Sequence, residues 1–139
     1  MGRLYKSACY CTNLRRSAVA VSNYYSNALK EVGLNASQYY LLINLSRLRQ
    51  ANITQWANHV GLERSTMVRN IRILQERGWI AQTHLGHGKQ FALTDAGEVV
   101  LKEAIPIWEQ TQAEMERFLG QADAEAVLRV GEKLQGLEG

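Results

Sequence analysis

Residues 54–78, TQWANHVGLERSTMVRNIRILQERG, decide how the chain folds. Thr54 can cap a short helix running to about Val60, Gly61 breaks it, and a longer helix follows from Glu63 to Arg77, closed by Gly78. Two helices joined by a brief glycine-bearing turn form a helix-turn-helix pattern. On a wheel advancing about 100° per residue, Met67, Ile71 and Leu74 fall within about 60° of one another and make a stripe for burial. Arg64, Ser65, Val68, Arg69 and Arg72 spread over about 140° of the other side, so three guanidinium groups and a hydroxyl share the exposed face. The only acids nearby are Glu63 in the first turn, where the helix dipole favours it, and Glu76 at the far end. A planar guanidinium fork can donate two bonds to guanine O6 and N7 or grip a phosphate, and a helix of this size fits the major groove. A merely solvated arginine face, or one that meets RNA or an acidic protein, is the competing reading of the same residues.

Outward from this stretch, the helical period ends at Trp79, and Trp79–Leu85 alternates as a strand. Gly86-His87-Gly88 permits a tight tip, and Lys89–Leu93 reads as the returning strand of a hairpin. Thr94 or Asp95 can cap a long helix from about Ala96 to Leu119. Its apolar face runs from Val100 through Ala104, Ile107, Trp108, Thr111 and Met115 to Phe118, and Pro106 is expected to kink it. Asp123 can cap a last helix striped by Val127, Val130, Leu134 and Leu137. Upstream, Leu14, Ala18, Val21, Tyr25, Ala28 and Val32 recur at alternating steps of four and three, the seam of a helix that packs on another, with Gly33 as its left-handed cap. Asn35 to Ser37 offer cap oxygens to a central helix from Gln38 to about Gln50. The fold class expected is mainly α with a small β-hairpin wing. Residues 36–93 form a winged helix-turn-helix lobe, 9–33 and 96–137 supply the helices of a dimerisation region, and the whole of 1–139 makes one domain.

Composition agrees with one core: 139 residues, 46% hydrophobic and 21% charged, with a single proline, which excludes collagen-like and Pro-rich disordered chains. No apolar run approaches the ~18 residues of a bilayer-spanning helix and the start lacks a signal-peptide core, so no membrane is expected and a cytoplasmic address follows. The formal charge of +3 is unevenly distributed. Residues 1–93 carry twelve Lys and Arg against three Glu, a charge of +9, whereas 94–139 carry four against ten, a charge of −6. A basic body with acidic C-terminal helices suggests a polyanion on one face only. No P-loop, dinucleotide fingerprint or zinc-protease motif is present, and His59, His84 and His87 form no acid–base set, so no enzyme and no cofactor are expected.

Three segments, GLNASQYYLLINL, ITQWANHVGLERSTMVRNIRILQERGWI and FALTDAGEVVL, resemble the MarR family of bacterial winged helix-turn-helix transcription regulators, and the match covers most of the chain. The resemblance implies a homodimer whose first, fifth and sixth helices intertwine and whose two lobes read a near-palindromic site in double-stranded DNA as a repressor. It places Arg64, Ser65, Thr66 and Arg69 where base edges and nearby phosphates are approached. Ser37 and Gln38 at the start of the central helix, Arg72, and Lys89 and His87 of the wing complete the DNA-binding candidates. One departure stands out. The family's wing usually carries an Asp-x-Arg pair, and those positions are Leu85 and His87 here, so a wing contribution from His87 is expected to grow below about pH 6.5. A winged-helix module that binds only protein is the alternative, and it predicts no salt-dependent binding to duplex DNA. Dimerisation also has a physical motive, since a lobe of this size has a small core and the flanking stripes need cover.

Two inputs are candidates for control. Cys9 and Cys11 precede the first long helix beside Arg15 and Arg16, a setting that lowers a thiol's pKa and opens it to oxidation. By resemblance, Cys11 falls where the family's organic-hydroperoxide-sensing branch has its reactive cysteine and Tyr25 matches one thiol-bonding tyrosine, while the other two tyrosine positions hold Arg15 and Ala36. Small buried hydrophobes are the other reading of the cysteines, and a metal site lacks any spacing to support it. The second input is a small aromatic or phenolic effector in a crevice lined by Tyr25, Tyr39 and Tyr40 with Arg15 or Arg16 meeting its charge; the same tyrosines could simply be core.

Overall fold

A computed structural model of the chain describes residues 8–83 and 88–137. Helix α1 spans Tyr10–Leu29 and tightens into a 3-10 turn over Lys30–Val32, which Gly33 ends at φ 83°. It begins four residues before Leu14, so Cys9 is its N-cap and Cys11 lies in its first turn. Helix α2, Ala36–Leu48, opens on a reciprocal cap: Asn35 Oδ1 accepts the Gln38 N–H at 2.8 Å and Gln38 Oε1 accepts the Asn35 N–H at 3.0 Å. The same device starts α3, Ile53–Val60, through Asn52 and Gln55 at 2.8 and 3.0 Å. Thr54 is therefore a first-turn residue and not the cap, because the extended backbone and side chain of Asn52 already satisfy the free N–H groups. Gly61 then turns the chain at φ 73°, and α4 runs from Arg64 to Glu76.

Strands β1, Ile80–Thr83, and β2, Gln90–Leu93, pair antiparallel with Ile80 opposite Leu93 and Thr83 opposite Gln90. Ala51 bridges Phe91 from the other side, exchanging N–H···O bonds of 2.8 and 3.1 Å, so the hairpin is anchored to the α2–α3 connection. β1 starts after Trp79, whose N–H still donates to the Leu74 carbonyl at 3.1 Å and whose ring is buried under the Arg77 guanidinium, 5.2 Å from its centroid. His84, Leu85 and His87 lie outside the described residues. Leu41, Leu42 and Leu45 of α2, Trp56 of α3, and Met67, Ile71 and Leu74 of α4 close the core with Phe91. The indole N–H of Trp56 donates to the Leu41 carbonyl at 3.2 Å, so its burial leaves no orphan donor.

The lobe is fastened to α5, Asp95–Leu119, by Thr94. Its hydroxyl donates to the Gly78 carbonyl at 2.6 Å and accepts the Gly97 N–H at 3.0 Å, and its own N–H donates to the Trp79 carbonyl at 3.0 Å. Gly97 packs so closely that a Cβ there would lie 2.0 Å from the Trp79 oxygen, which is why this first turn of α5 carries a glycine. Pro106 is exposed inside α5. Helix α6, Gln121–Gln135, is entered from Gly120 at φ 82°, which leaves Asp123 in the first turn, favourable to the dipole but not the cap. No residue of α6 is buried, and Phe118 (85% exposed), Val127 (58%) and Leu128 (71%) face outward. No described helix is long and apolar enough to cross a membrane.

Candidate nucleic-acid interface

The wheel drawn from sequence is realised on α4. Met67, Ile71 and Leu74 are buried, and Arg64, Ser65, Val68, Arg69 and Arg72 are exposed, with Thr66 half-buried between the two faces. The burial of Met67 and Leu74 fixes the helix's rotation, so the arginines project because the apolar stripe is held down. Arg64 is partly committed: its Nη1 donates to Thr54 Oγ1 at 3.1 Å, which ties the start of α4 to the first turn of α3. Asn70 turns its amide back to the Thr66 carbonyl at 2.9 Å and so belongs to the helix. The face has the width of a major-groove reader, with cations at three heights along about 12 Å of axis.

Ser37 is exposed in the first turn of α2, and Gln38 is half-buried with its side-chain oxygen used in the cap, so only its amide nitrogen is left to donate outward. Lys89 is exposed beside the end of β2. His87 cannot be placed against them, since it lies outside the described residues.

A crevice of about 480 Å³ opens between α1, α2 and α5. Tyr25, Tyr39 and Tyr40 line it with Asn44, Arg47 and Trp108. The cation of the crevice is thus Arg47. Arg15 is exposed on α1 and does not line it, because ten residues, about 15 Å of helix, separate it from Tyr25. Sequence reasoning missed Arg47, although it lies seven residues after Tyr40, about two helical turns along α2 and near the same face. Tyr39 stacks on Trp108 at 6.1 Å with an interplanar angle of 12°, and burial raises its phenol above the usual tyrosine range. Burial also raises Tyr25, whose hydroxyl donates to Gln112 of α5. Asn44 is 6% exposed and hydrogen-bonded through both ends of its side chain, its amide donating to the Tyr40 carbonyl at 2.8 Å and its oxygen bonded to His59 Nε2 of α3 at 3.1 Å. The Tyr40 hydroxyl reaches the Val60 carbonyl at 3.3 Å, so the crevice wall touches the last turn before Gly61.

Both cysteines are exposed, which removes the reading of them as buried hydrophobes in this chain. The thiol of Cys9 is held below its ordinary range by hydrogen bonding to the side chain and backbone of Thr12, so the cause is local to the helix start and not the neighbouring arginines.

Residues 36–116 match the family model described as the HVO_A0261 N-terminal domain. No curated protein sequence matches the chain. Among solved structures, the transcriptional regulator MosR of M. tuberculosis is 27% identical, with 94% of this chain and 98% of that one covered and a TM-score of 0.76; MosR has also been solved in complex with DNA. The transcriptional repressor CouR bound to p-coumaroyl-CoA is 22% identical, with 94% of both chains covered and a TM-score of 0.85. The oxidised form of MarR from E. coli shares the fold at 11% identity and a TM-score of 0.75, with 94% and 96% covered.

Proposed function

The chain belongs to the family described as the HVO_A0261 N-terminal domain and to the winged-helix regulators of the MarR type, and from that premise we propose that it is a repressor that reads duplex DNA as a homodimer. The observation that carries the reading is the α4 face, where three arginines and Ser65 stand exposed over a buried Met67–Ile71–Leu74 stripe. In this reading residues 36–93 form the DNA-reading lobe, and helices within 9–33 and 96–137 hold the dimer together. Two-fold symmetry then sets the two copies of α4 one turn of DNA apart, about 34 Å, over a near-palindromic site. Arg64, Ser65, Thr66, Arg69 and Arg72 enter the groove, while Ser37, Gln38, Lys89 and His87 meet the flanking backbone and minor groove.

Release follows from a change in the lobes' spacing that lowers the DNA-competent fraction. A small aromatic or phenolic anion suits the Tyr25–Tyr39–Tyr40 crevice, with Arg47 in place of Arg15 as its counter-charge. Oxidation of the exposed thiols is the second input, and the lowered pKa of Cys9 supports it.

The test is a duplex selected from a random pool by the full-length protein. Log affinity should fall linearly with log salt, by about 0.9 per phosphate contact. Arg69→Ala should cost about 1–3 kcal/mol and relax the preference at one position per half-site. Salt-independent binding, or none, would turn the reading into a protein-interaction module. Peroxide should weaken binding by the parent and spare the variant lacking the sensing thiol, Cys9→Ser or Cys11→Ser; an equal response in all three removes oxidation as the input.

A further inference from the structure

The arc of α4 that carries the arginines holds four polar exposed side chains, Arg64, Ser65, Arg69 and Arg72, and one apolar one, Val68, which is 44% exposed. A single exposed valine says nothing in itself. Its surroundings do. On the wheel Val68 falls between Arg64 and Arg72, about 40° from each, and it stands one turn from both, about 6 Å along the axis. Ser65 lies three residues before it, and the acids of this stretch, Glu63 and Glu76, sit at the two ends of the helix. Branching at Cβ lowers the helix propensity of valine, and an exposed position returns little buried area to offset that. Ile73, the other exposed apolar residue of α4, lies about 140° round the helix from Val68 and outside the arginine arc.

A helix that enters a major groove by these arginines carries Val68 in with them. Base pairs line that groove with hydrogen-bond donors and acceptors, and the one apolar group among them is the C5-methyl of thymine. Set against a cytosine amino group or the acceptors of guanine, a valine would displace water without replacing its hydrogen bonds. Set against the thymine methyl, both partners leave water at no such cost. A second copy of the chain does not suit the same face, since it would oppose three guanidinium groups with three more. We propose that Val68 selects a thymine in each half-site of the bound duplex through its C5-methyl group. This rests on the DNA reading above and adds to it a sequence-selecting contact that carries no charge and no hydrogen bond.

The experiment measures the full-length parent, Val68→Ser and Val68→Thr on the duplex selected by the parent, with deoxyuridine replacing thymidine at one position of both half-sites at a time. Deoxyuridine keeps the pairing edge and O4 and lacks only the methyl group. At one position the parent is expected to bind about fourfold more weakly for each half-site, the fold-change of one buried methylene-sized group. Val68→Ser should bind the thymidine and deoxyuridine duplexes alike at that position and keep the parent's salt slope, since no cation is lost. Val68→Thr, which retains one methyl group, should keep part of the discrimination. Each protein is compared with itself on two duplexes, so a change in its stability does not enter the ratio. A selected half-site that requires no thymine would overturn the proposal, as would a parent indifferent to deoxyuridine at every position. So would Val68→Ser retaining the parent's full loss, which would assign the methyl group to another side chain or to DNA shape. If the parent itself shows no salt-dependent duplex binding, the DNA reading fails first and takes this assignment with it.

Discussion

The stretch from α2 to β2 and the stretch from the far half of α5 through α6 spend their apolar residues in opposite ways. In the first, Leu42, Leu45, Trp56, Met67 and Leu74 are buried within one chain, with the Trp56 indole hydrogen-bonded and each helix start capped or charged. In the second, α6 buries nothing, and Phe118, Val127, Leu128 and Leu137 lie open. Charge divides at the same place, +9 before Thr94 and −6 from it onward. The first stretch finds cover for its apolar residues within the chain, whereas helices with apolar stripes and acidic flanks are built to be covered by something apolar. Under the proposed function that cover is a second copy of the chain.

The contrast can be broken most forcefully inside the lobe. Trp56→Ala should cost about 3–5 kcal/mol, and the loss in denaturant midpoint should be the same at every protein concentration. A concentration-dependent loss would mean that the lobe's core is not self-contained. On the other side, Phe118→Glu and Val127→Glu should each weaken self-association by about 2 kcal/mol, read by sedimentation. The rise of Tm with protein concentration expected of the parent should be weaker in them. Smaller is the cap of α3, where Asn52→Ala should remove about 1 kcal/mol in thermal unfolding. The smallest effect concerns Tyr24 of α1, whose hydroxyl donates to Glu114 of α5 at 3.0 Å; that bond holds its phenol above the usual tyrosine range. A raised folded-state pKa contributes stability that is complete below the unfolded value near pH 10 and fades as pH climbs through the folded one. Tm measured from pH 8 to 11.5 should fall more steeply in the parent than in Tyr24→Phe.

Legibility from sequence followed the same division. The α4 wheel could be drawn because Met67, Ile71 and Leu74 repeat at helical spacing and glycines punctuate both ends. Caps were harder to place, since Asn52 and Thr54 are both good caps and only the backbone decides which reaches the free N–H groups. Arg47 of the crevice was missed for a different reason. Its role depends on α2 lying between α1 and α5, a tertiary fact that no spacing along one helix encodes.

The joint at Thr94 has a mechanical consequence. Three hydrogen bonds and the contact of Gly97 with the Trp79 carbonyl clamp the foot of the hairpin to the first turn of a helix about 37 Å long, so the joint has no room to hinge. α5 then acts as a rigid lever: a tilt of about 5° applied at its far end swings across roughly 3 Å, and the wing must follow. Where the lever can give is Pro106, which lacks the N–H that would tie it to Lys102 one turn earlier. Whatever presses on the second half of α5 is therefore felt at the hairpin only after Pro106 has taken its share of the strain.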